Sequence, residues 1–180
     1  IICNFFMKLP KISNTRLFST VTGSHMWKMN HAKSDIDVST AYIMDTQHFL
    51  RGGRSNNHQT TKFSYIDENG DEQELDEARY EIANVVKYLK KGNVNYVWMV
   101  TSPQIVLEKR NWLSRLRQIV IDNPSKEIYY SIRGLARNNI KDFIERGDKS
   151  SLKYKKKLNV IGRTLEFGIN YFRWGKMIYS

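Results

Sequence analysis

The sequence predicts an α+β protein in which a mixed β-sheet with flanking helices comes first and a helical region follows. Apolar and polar residues alternate in short runs before residue 80, and beyond it the apolar residues recur at helical spacing. The length of 180 residues and the apolar fraction of 41% are typical of a globular protein. We therefore predict an α/β domain over residues 1–100 and a helical region over residues 101–180.

Four segments of the first half have the patterns of β-strands. They are residues 17–21, 34–44, 61–66 and 72–78. The last two flank Asn69-Gly70, a dipeptide that favours a hairpin turn. Residues 23–32 are predicted as a turn that enters a short helix, and residues 51–59, which contain two adjacent glycines, as a loop.

Four helices are predicted in the second half from the helical spacing of apolar residues. They cover residues 80–92, 102–123, 125–147 and 152–172. Gly92 and Gly147 mark two of the predicted ends, since glycine commonly follows the last turn of a helix. Ser102-Pro103 marks one predicted start, because serine caps a helix and proline suits its first turn.

The formal net charge of +11, from 29 Lys and Arg against 18 Asp and Glu, is large for this length. Such an excess suggests a polyanionic partner, either nucleic acid or nucleotide phosphate. A basic surface that only keeps the protein in solution is an equally open interpretation. The excess lies in the C-terminal half, and the candidate nucleic-acid contacts at the start of the last helix are Lys153, Lys155, Lys156 and Lys157.

Two further features concern location. No run approaches the ~20 apolar residues that a membrane span needs, so we expect no membrane partner. The single cysteine, Cys3, excludes a disulfide within the chain and favours a reducing compartment. We therefore expect a cytoplasmic protein, and the sequence does not indicate its oligomeric state.

Asp35 and Asp37 are the first candidate site residues. In an extended strand they project from the same face, because successive side chains alternate between the two faces. Neighbouring carboxylates repel each other unless a divalent cation lies between them, and Mg²⁺ prefers a few carboxylates completed by phosphates and water. The alternative is that both aspartates are ordinary solvent-facing residues of a half-buried strand.

Gly23-Ser24 forms the second candidate element, between the first strand and the short helix. Its unobstructed backbone N–H groups and the serine hydroxyl are suited to holding phosphate. Lys28 is a candidate phosphate contact, although a solvent-facing lysine is an equally open interpretation. Together with the two aspartates, these residues predict a site for a metal ion and a nucleotide.

The spacing of these elements resembles a known family signature. Gly23-Ser24, ten further residues and then Asp35-Ile36-Asp37 are similar to the signature of the DNA polymerase β-like nucleotidyltransferase superfamily. The stretch YEIANVVKYLKKGNVNYVWMV, residues 80–100, resembles a predicted nucleotidyltransferase branch that includes enzymes associated with RNA repair. The resemblance covers residues 17–100, with a weaker similarity in the later helices.

The resemblance implies a nucleotidyltransferase-type sheet and a specific chemistry. It implies a third carboxylate on the neighbouring strand, at Asp76, and two Mg²⁺ ions held by Asp35, Asp37 and Asp76, with Mn²⁺ as an alternative metal. A nucleoside monophosphate would pass from an NTP to a hydroxyl of nucleic acid or protein, with release of pyrophosphate. The alternatives are a non-catalytic nucleic-acid-binding module and a toxin–antitoxin-type interaction protein on the same fold.

The chain also departs from the family pattern at four places. His25-Met26-Trp27 lies where the family has a small-aromatic-glycine sequence, and Val94 replaces the proline of an Asn-Pro-Asn sequence. Trp98 lies where a glutamate is common, and Val160 replaces a histidine three residues before Arg163. These departures leave the predicted metal residues intact. For both tryptophans we favour core packing over stacking on a base.

Overall fold

The computed structural model describes residues 15–31, 34–53, 58–66, 70, 72–146 and 152–179. Within these residues there are five strands, which are β1 (Thr15–Val21), β2 (Ile36–Ile43), β3 (Gln59–Ile66), β4 (Glu72–Glu81) and β5 (Ile105–Glu108). The same residues form seven helices, which are α1 (Gly23–Met26), α2 (Thr46–Leu50), α3 (Ile82–Lys90), α4 (Val94–Thr101), α5 (Trp112–Asp122), α6 (Lys126–Arg146) and α7 (Leu152–Trp174). The predicted α+β class is confirmed.

The described strands form one mixed sheet in the order β3-β4-β2-β1-β5. The central strand β2 is parallel to β4 and antiparallel to β1, and β3 and β4 form an antiparallel pair. Gly70 has a φ of +85° between β3 and β4, a conformation that suits the glycine of the predicted turn. Asn69 itself lies outside the described residues. All four predicted strands are therefore present.

The two faces of the sheet have different environments. On one face, a small apolar cluster contains Val21, Ile36, Val38 and Leu75. The main core lies on the other face, where helices cover the sheet. Helix α4 contributes most to this cover, since it is apolar over most of its surface and six of its eight residues are buried. Phe167 and Tyr171 of α7 join this core, so the C-terminal helix packs with the helices that cover the sheet.

The predicted helix over residues 102–123 is wrong in its first part. Ile105–Glu108 form strand β5, which pairs with β1, and the helix begins only at Trp112. The backbone of β1 needs hydrogen-bond partners on this side, and Lys109 N–H donates to the Leu17 carbonyl at 2.7 Å. The Ser102 hydroxyl donates to the Val21 carbonyl at 2.6 Å instead of starting a helix. The sheet thus includes a strand beyond residue 100, and the domain boundary stays a prediction.

Other local differences are smaller. Two short helices were not predicted: α2, whose first turn is capped by the Asp45 carboxylate, and the buried α4. Helix α1 ends at Met26, and Ala32, the last residue of the predicted turn-helix segment, lies outside the described part. Strand β3 begins at Gln59, so the last residue of the predicted loop belongs to this strand. Residues 54–57 of the predicted loop lie outside the described part of the structure.

The predicted C-terminal helices agree closely with α6 and α7, which pack against each other. Within the described residues, every helix is either too short or too polar to pass through a bilayer.

Candidate metal and nucleotide site

The sheet brings the three predicted metal-binding carboxylates together. Asp37 of β2 lies directly opposite Asp76 of the parallel strand β4. Asp35 precedes Asp37 by two residues, just before β2 begins. One carboxylate oxygen from each of the three lies within 4.8 Å of the other two. These oxygens are close enough together to share one small cation.

The charges in this cluster repel one another. Burial raises the pKa of Asp37, and the carboxylates of Asp35 and Asp76 raise it further. His25 and Lys62 lower the pKa of Asp37, but their effects are smaller. Without a cation, the ionised triad is therefore electrostatically unfavourable.

Asp76 has two oxygens in different surroundings. Its Oδ2 forms an ion pair with Lys62 Nζ at 2.9 Å. Its Oδ1 is buried and has no hydrogen-bond partner among the described residues. Lys62 lies opposite Asp76 in the hairpin register. Lys62 was not predicted as a site residue, and a two-residue turn at Asn69-Gly70 would have placed Phe63 rather than Lys62 opposite Asp76.

Gly23 lies against the carboxylate of Asp37. Its φ is +61°, and a Cβ atom at this position would lie 1.8 Å from Asp37 Oδ2. The neighbouring Thr22 N–H donates to the Asp37 carbonyl at 2.8 Å. Glycine is therefore required here both by the backbone conformation and by the close approach of the carboxylate. Ser24 follows in α1 and is half-buried.

A cavity of about 250 Å³ lies beside Gly23. Its walls include Tyr80, Tyr96 and Trp98. The guanidinium of Arg163, from α7, also lines the cavity and lies 5.3 Å from the ring centre of Trp27. Burial lowers the pKa of Arg163. Arg163 was not among the residues that the sequence predicts for the site.

Comparison with known protein families identifies the family to which this chain belongs. A family profile described as "RlaP: RNA repair pathway DNA polymerase beta family" matches residues 8–165. The chain belongs to this family. The resemblance inferred from the sequence is thereby confirmed.

Other comparisons are less informative than the RlaP match. A nucleotidyltransferase-like protein from Exiguobacterium sibiricum is similar to this chain at 10% identity and a TM-score of 0.38. The match covers 87% of this chain and 49% of that protein, so the chain spans about half of its length. Comparison with curated proteins gives no significant match.

The residues present in this RlaP-family chain fit a divalent cation. The three donors are carboxylates, which Mg²⁺ prefers, and Asp76 Oδ1 is a buried acceptor without a partner among the described residues. A metal ion would supply that partner and relieve the repulsion that raises the pKa of Asp37.

The remaining predicted residues lie elsewhere around this RlaP-family site or outside it. Lys28 is exposed just after α1, with a φ of +53°. Lys155 and Lys156 are exposed at the start of α7, whereas Lys157 Nζ contacts Asp142 Oδ2 at 2.6 Å. The side chain of Lys153 lies outside the described part of the structure.

The departures from the family pattern also have structural positions. Trp27 and Trp98 are 2% and 7% exposed and pack in the main core, as we favoured, although both also line the cavity. Val160 lies on α7, where its carbonyl accepts from the Thr164 hydroxyl at 2.6 Å. A valine side chain cannot transfer a proton, so Val160 cannot replace a histidine in acid–base catalysis.

Proposed function

We propose that the protein is a Mg²⁺-dependent nucleotidyltransferase that transfers a nucleoside monophosphate from an NTP to a hydroxyl group. The observation that carries this proposal is the triad, in which Asp35, Asp37 and Asp76 place carboxylate oxygens within 4.8 Å of one another. Membership of a DNA polymerase β family supports the same chemistry. Mn²⁺ is the expected alternative metal because it also accepts carboxylate and water ligands.

The proposed reaction breaks one phosphoanhydride bond of the NTP and forms one phosphoester bond to the acceptor. The acceptor oxygen forms a bond to the α-phosphorus, the bond from that phosphorus to the bridging oxygen breaks, and pyrophosphate leaves with the bond electrons. The hydroxyl proton passes to water. Divalent metal ions would neutralise the triphosphate charge and lower the pKa of the acceptor hydroxyl.

Each chain residue has a defined task in this proposal. Asp35, Asp37 and Asp76 would hold two metal ions. The backbone at Gly23 would let the phosphates approach without obstruction from a side chain, and the hydroxyl of Ser24 would donate to them. Lys28 is the nearest candidate in sequence for an additional phosphate contact.

Lys62 would position Asp76 rather than bind substrate. Its ammonium lies 2.9 Å from Asp76 Oδ2, and the hydrogen bond that it donates to Asp76 raises the pKa of Lys62. A positive charge on this side of Asp76 offsets part of the repulsion among the three carboxylates.

We propose nucleic acid, and RNA in particular, as the acceptor. The net charge of +11 and the description of the family as an RNA repair pathway family support this choice. A protein hydroxyl is the alternative acceptor. A cytoplasmic location, expected from the use of a single cysteine, stays a prediction.

The test is incubation of the purified protein with Mg²⁺, each α-labelled NTP and a short RNA that has a free 3′ hydroxyl. We expect a labelled RNA one or more nucleotides longer and an equal amount of pyrophosphate. Asp37→Asn is the negative control, and Glu74→Gln, an exposed acid on the same strand as Asp76, is the matched positive control. Label on the protein itself would identify a protein acceptor, and wild type and Asp37→Asn that label RNA equally would contradict the proposal.

A further inference from the structure

An apolar groove lies between α6 and α7 on the exposed side of this helix pair. Its volume is about 650 Å³. The large apolar and aromatic side chains that line it are between 39% and 56% exposed, and they are Tyr129, Ile140, Leu165, Ile169 and Phe172. Single exposed apolar residues are common on protein surfaces, but a contiguous patch of this kind usually marks an interaction site.

The apolar surface continues beyond the groove along both helices. Leu158 lies seven residues before Leu165 on α7, Ile144 lies one turn after Ile140 on α6, and both are exposed. The seven-residue spacing of Leu158, Leu165 and Phe172 keeps these side chains on one side of α7, as in helices that pack along one another. The distance from Leu158 to Phe172 is about 21 Å along the helix, so a helix of about four turns can lie beside it.

Arginines provide the charge of this groove. Arg133 and Arg137 lie one turn apart on α6, and Arg173 lies near the end of α7. All three are exposed, and none forms an ion pair within the part of the chain that the structure describes. The described residues that line the groove include no acid, since the exposed Glu166 beside Leu165 lies outside it. Such a surface is complementary to an apolar helix face that is flanked by carboxylates.

The shape and composition of the groove disfavour three other occupants. RNA needs free aromatic faces on which its bases stack, but Tyr129 and Phe172 pack edge to face on each other, with ring centres 6.0 Å apart. A second copy of this chain would bring two sets of like-charged arginines together, which costs free energy. A membrane takes up the convex apolar face of a single helix, whereas this surface is a groove between two helices.

We propose that the groove between α6 and α7 binds an acidic amphipathic helix of a partner protein. The apolar side chains of that helix would pack between α6 and α7, and its carboxylates would lie next to Arg133, Arg137 and Arg173. Binding of this kind uses apolar residues of the partner at positions i, i+3, i+4 and i+7. The inference is independent of the proposed nucleotidyltransferase function, because the groove and the cavity beside Gly23 share no lining residue.

The test uses a fluorescein-labelled helical peptide of about 18 residues, with leucine at heptad positions a and d and glutamate on both sides of the leucines. Fluorescence anisotropy measures its binding to the full chain. We expect a dissociation constant on the order of 10 μM, and about tenfold weaker binding of the peptide in which lysine replaces every glutamate. Equal binding of the glutamate peptide and a scrambled peptide of the same composition would overturn the inference, because binding would then depend on charge alone.

Ile169→Asp tests the apolar part of the groove. We expect it to weaken binding of the glutamate peptide by about tenfold or more, because it places a carboxylate in the apolar contact. The matched control is Ile119→Asp, which changes an isoleucine of α5 that is outside the groove and exposed to a similar extent, 58% against 56%. If the two variants bind the peptide equally well, the groove is not the docking site.

Arg133→Glu/Arg137→Glu tests the charge complementarity by reversing it. This double variant should weaken binding of the glutamate peptide and strengthen binding of the lysine peptide. Lys87→Glu/Lys90→Glu makes the same change in net charge at exposed positions of α3 and should alter both affinities much less. Equal effects of the two double variants would show that net charge governs binding, and the inference would be wrong.

Three further measurements would identify a different occupant and overturn the proposal. The first is displacement of the peptide by single-stranded RNA that Ile169→Asp binds more weakly than the wild type. The second is a dimer of the wild type, observed by sedimentation velocity without peptide, that Ile169→Asp dissociates. The third is binding of the wild type, but not of Ile169→Asp, to phosphatidylserine vesicles.

Discussion

Arg16 and Glu77 form a buried bidentate ion pair that joins β1 to β4 across the central strand. Arg16 Nη2 lies 2.9 Å from Glu77 Oε2, and Arg16 Nε lies 3.1 Å from Glu77 Oε1. The Thr40 hydroxyl of β2 donates to the same carboxylate at 2.7 Å. Because Glu77 follows Asp76 in the strand, it points to the opposite face of the sheet. From the opposite face of the sheet, the pair therefore fixes the strand register that places Asp76 beside Asp37.

Glu77→Gln should destabilise the protein because it removes the carboxylate charge that faces the buried Arg16 guanidinium. The side chain of Glu77 is 0% exposed and that of Arg16 is 10% exposed, so we expect a loss of about 3 kcal/mol in the free energy of unfolding. Urea denaturation measures this loss. The double variant Arg16→Met/Glu77→Leu should lose less, since apolar residues remove both buried charges together. A single variant as stable as the wild type would show that the pair does not fix the sheet.

Asp37→Asn should abolish nucleotidyl transfer and leave the fold intact. We expect the rate to fall by at least about 10³-fold, because the variant weakens a site whose metal ions supply several kcal/mol of transition-state stabilisation. Mg²⁺ should raise the melting temperature of the wild type and of Glu74→Gln, but not that of Asp37→Asn. Equal shifts in all three proteins would remove Asp37 from the metal site.

Asp37→Asn should also change how the thermal stability depends on pH in the absence of metal. Burial and two neighbouring carboxylates raise the pKa of Asp37 in the folded protein above the value of about 3.9 of an unfolded aspartate. Ionisation of Asp37 therefore destabilises the fold at neutral pH. With EDTA present, Asp37→Asn should melt at or above the wild-type temperature at pH 7, and the difference should close as the pH falls through the raised pKa. A variant that melts well below the wild type at pH 7 would contradict this electrostatic account.

Gly23→Ala should weaken binding of Mg²⁺-NTP through a steric effect on Asp37. The new Cβ would lie 1.8 Å from Asp37 Oδ2, so the carboxylate has to move. Gly52→Ala is the matched control, since Gly52 also has a positive φ, +78°, but no atom lies within 4 Å of the added Cβ. Both variants carry the ~1 kcal/mol strain of alanine at positive φ, and we expect more than a tenfold rise in the dissociation constant for Gly23→Ala alone.

Ser24→Ala provides the graded comparison for the same phosphate site. Loss of one hydroxyl donor costs about 1 kcal/mol, which corresponds to a roughly fivefold weaker complex. The ranking of dissociation constants, measured by calorimetry, should therefore be Gly23→Ala, Ser24→Ala and then Gly52→Ala, from weakest to strongest binding. If Ser24→Ala is the weakest binder, the hydroxyl is a more important ligand than the unobstructed backbone.

The sequence carries the information for most of the fold because its local signals agree with the tertiary structure. The structure reproduces the alternation around Asp35 and Asp37, the antiparallel pairing of the two strands before and after Asn69-Gly70, and the apolar periods of α6 and α7. Strand β5 was not predictable in this way, since Ser102-Pro103 is a good local start for a helix. Its strand conformation depends on pairing with β1, a contact distant in sequence.

The site was predictable to the extent that it depends on strand geometry. Alternation places Asp35 and Asp37 on one face, and the family resemblance indicated Asp76 on the neighbouring strand, where the register puts it opposite Asp37. Arg163 and the cavity were not predictable from periodicity, because a half-buried arginine on an amphipathic helix has the same sequence pattern as an exposed one. The position of Arg163 at the cavity depends on its contact with Trp27, which is a tertiary contact.

The last prediction concerns the basic start of α7 as the surface that binds the RNA acceptor. Lys155 and Lys156 are exposed, whereas Lys157 is partly neutralised by Asp142 at 2.6 Å. Lysines that neutralise phosphates release counter-ions, so the logarithm of the RNA affinity should fall linearly with the logarithm of salt concentration. Lys155→Gln/Lys156→Gln should flatten this slope by about 0.7 unit for each lost contact with single-stranded RNA. Lys157→Gln should change the slope less than the double variant does. Neither variant should change the affinity for Mg²⁺-NTP. Filter binding at several salt concentrations measures these slopes, and equal slopes in the wild type and the double variant would place the RNA on another surface.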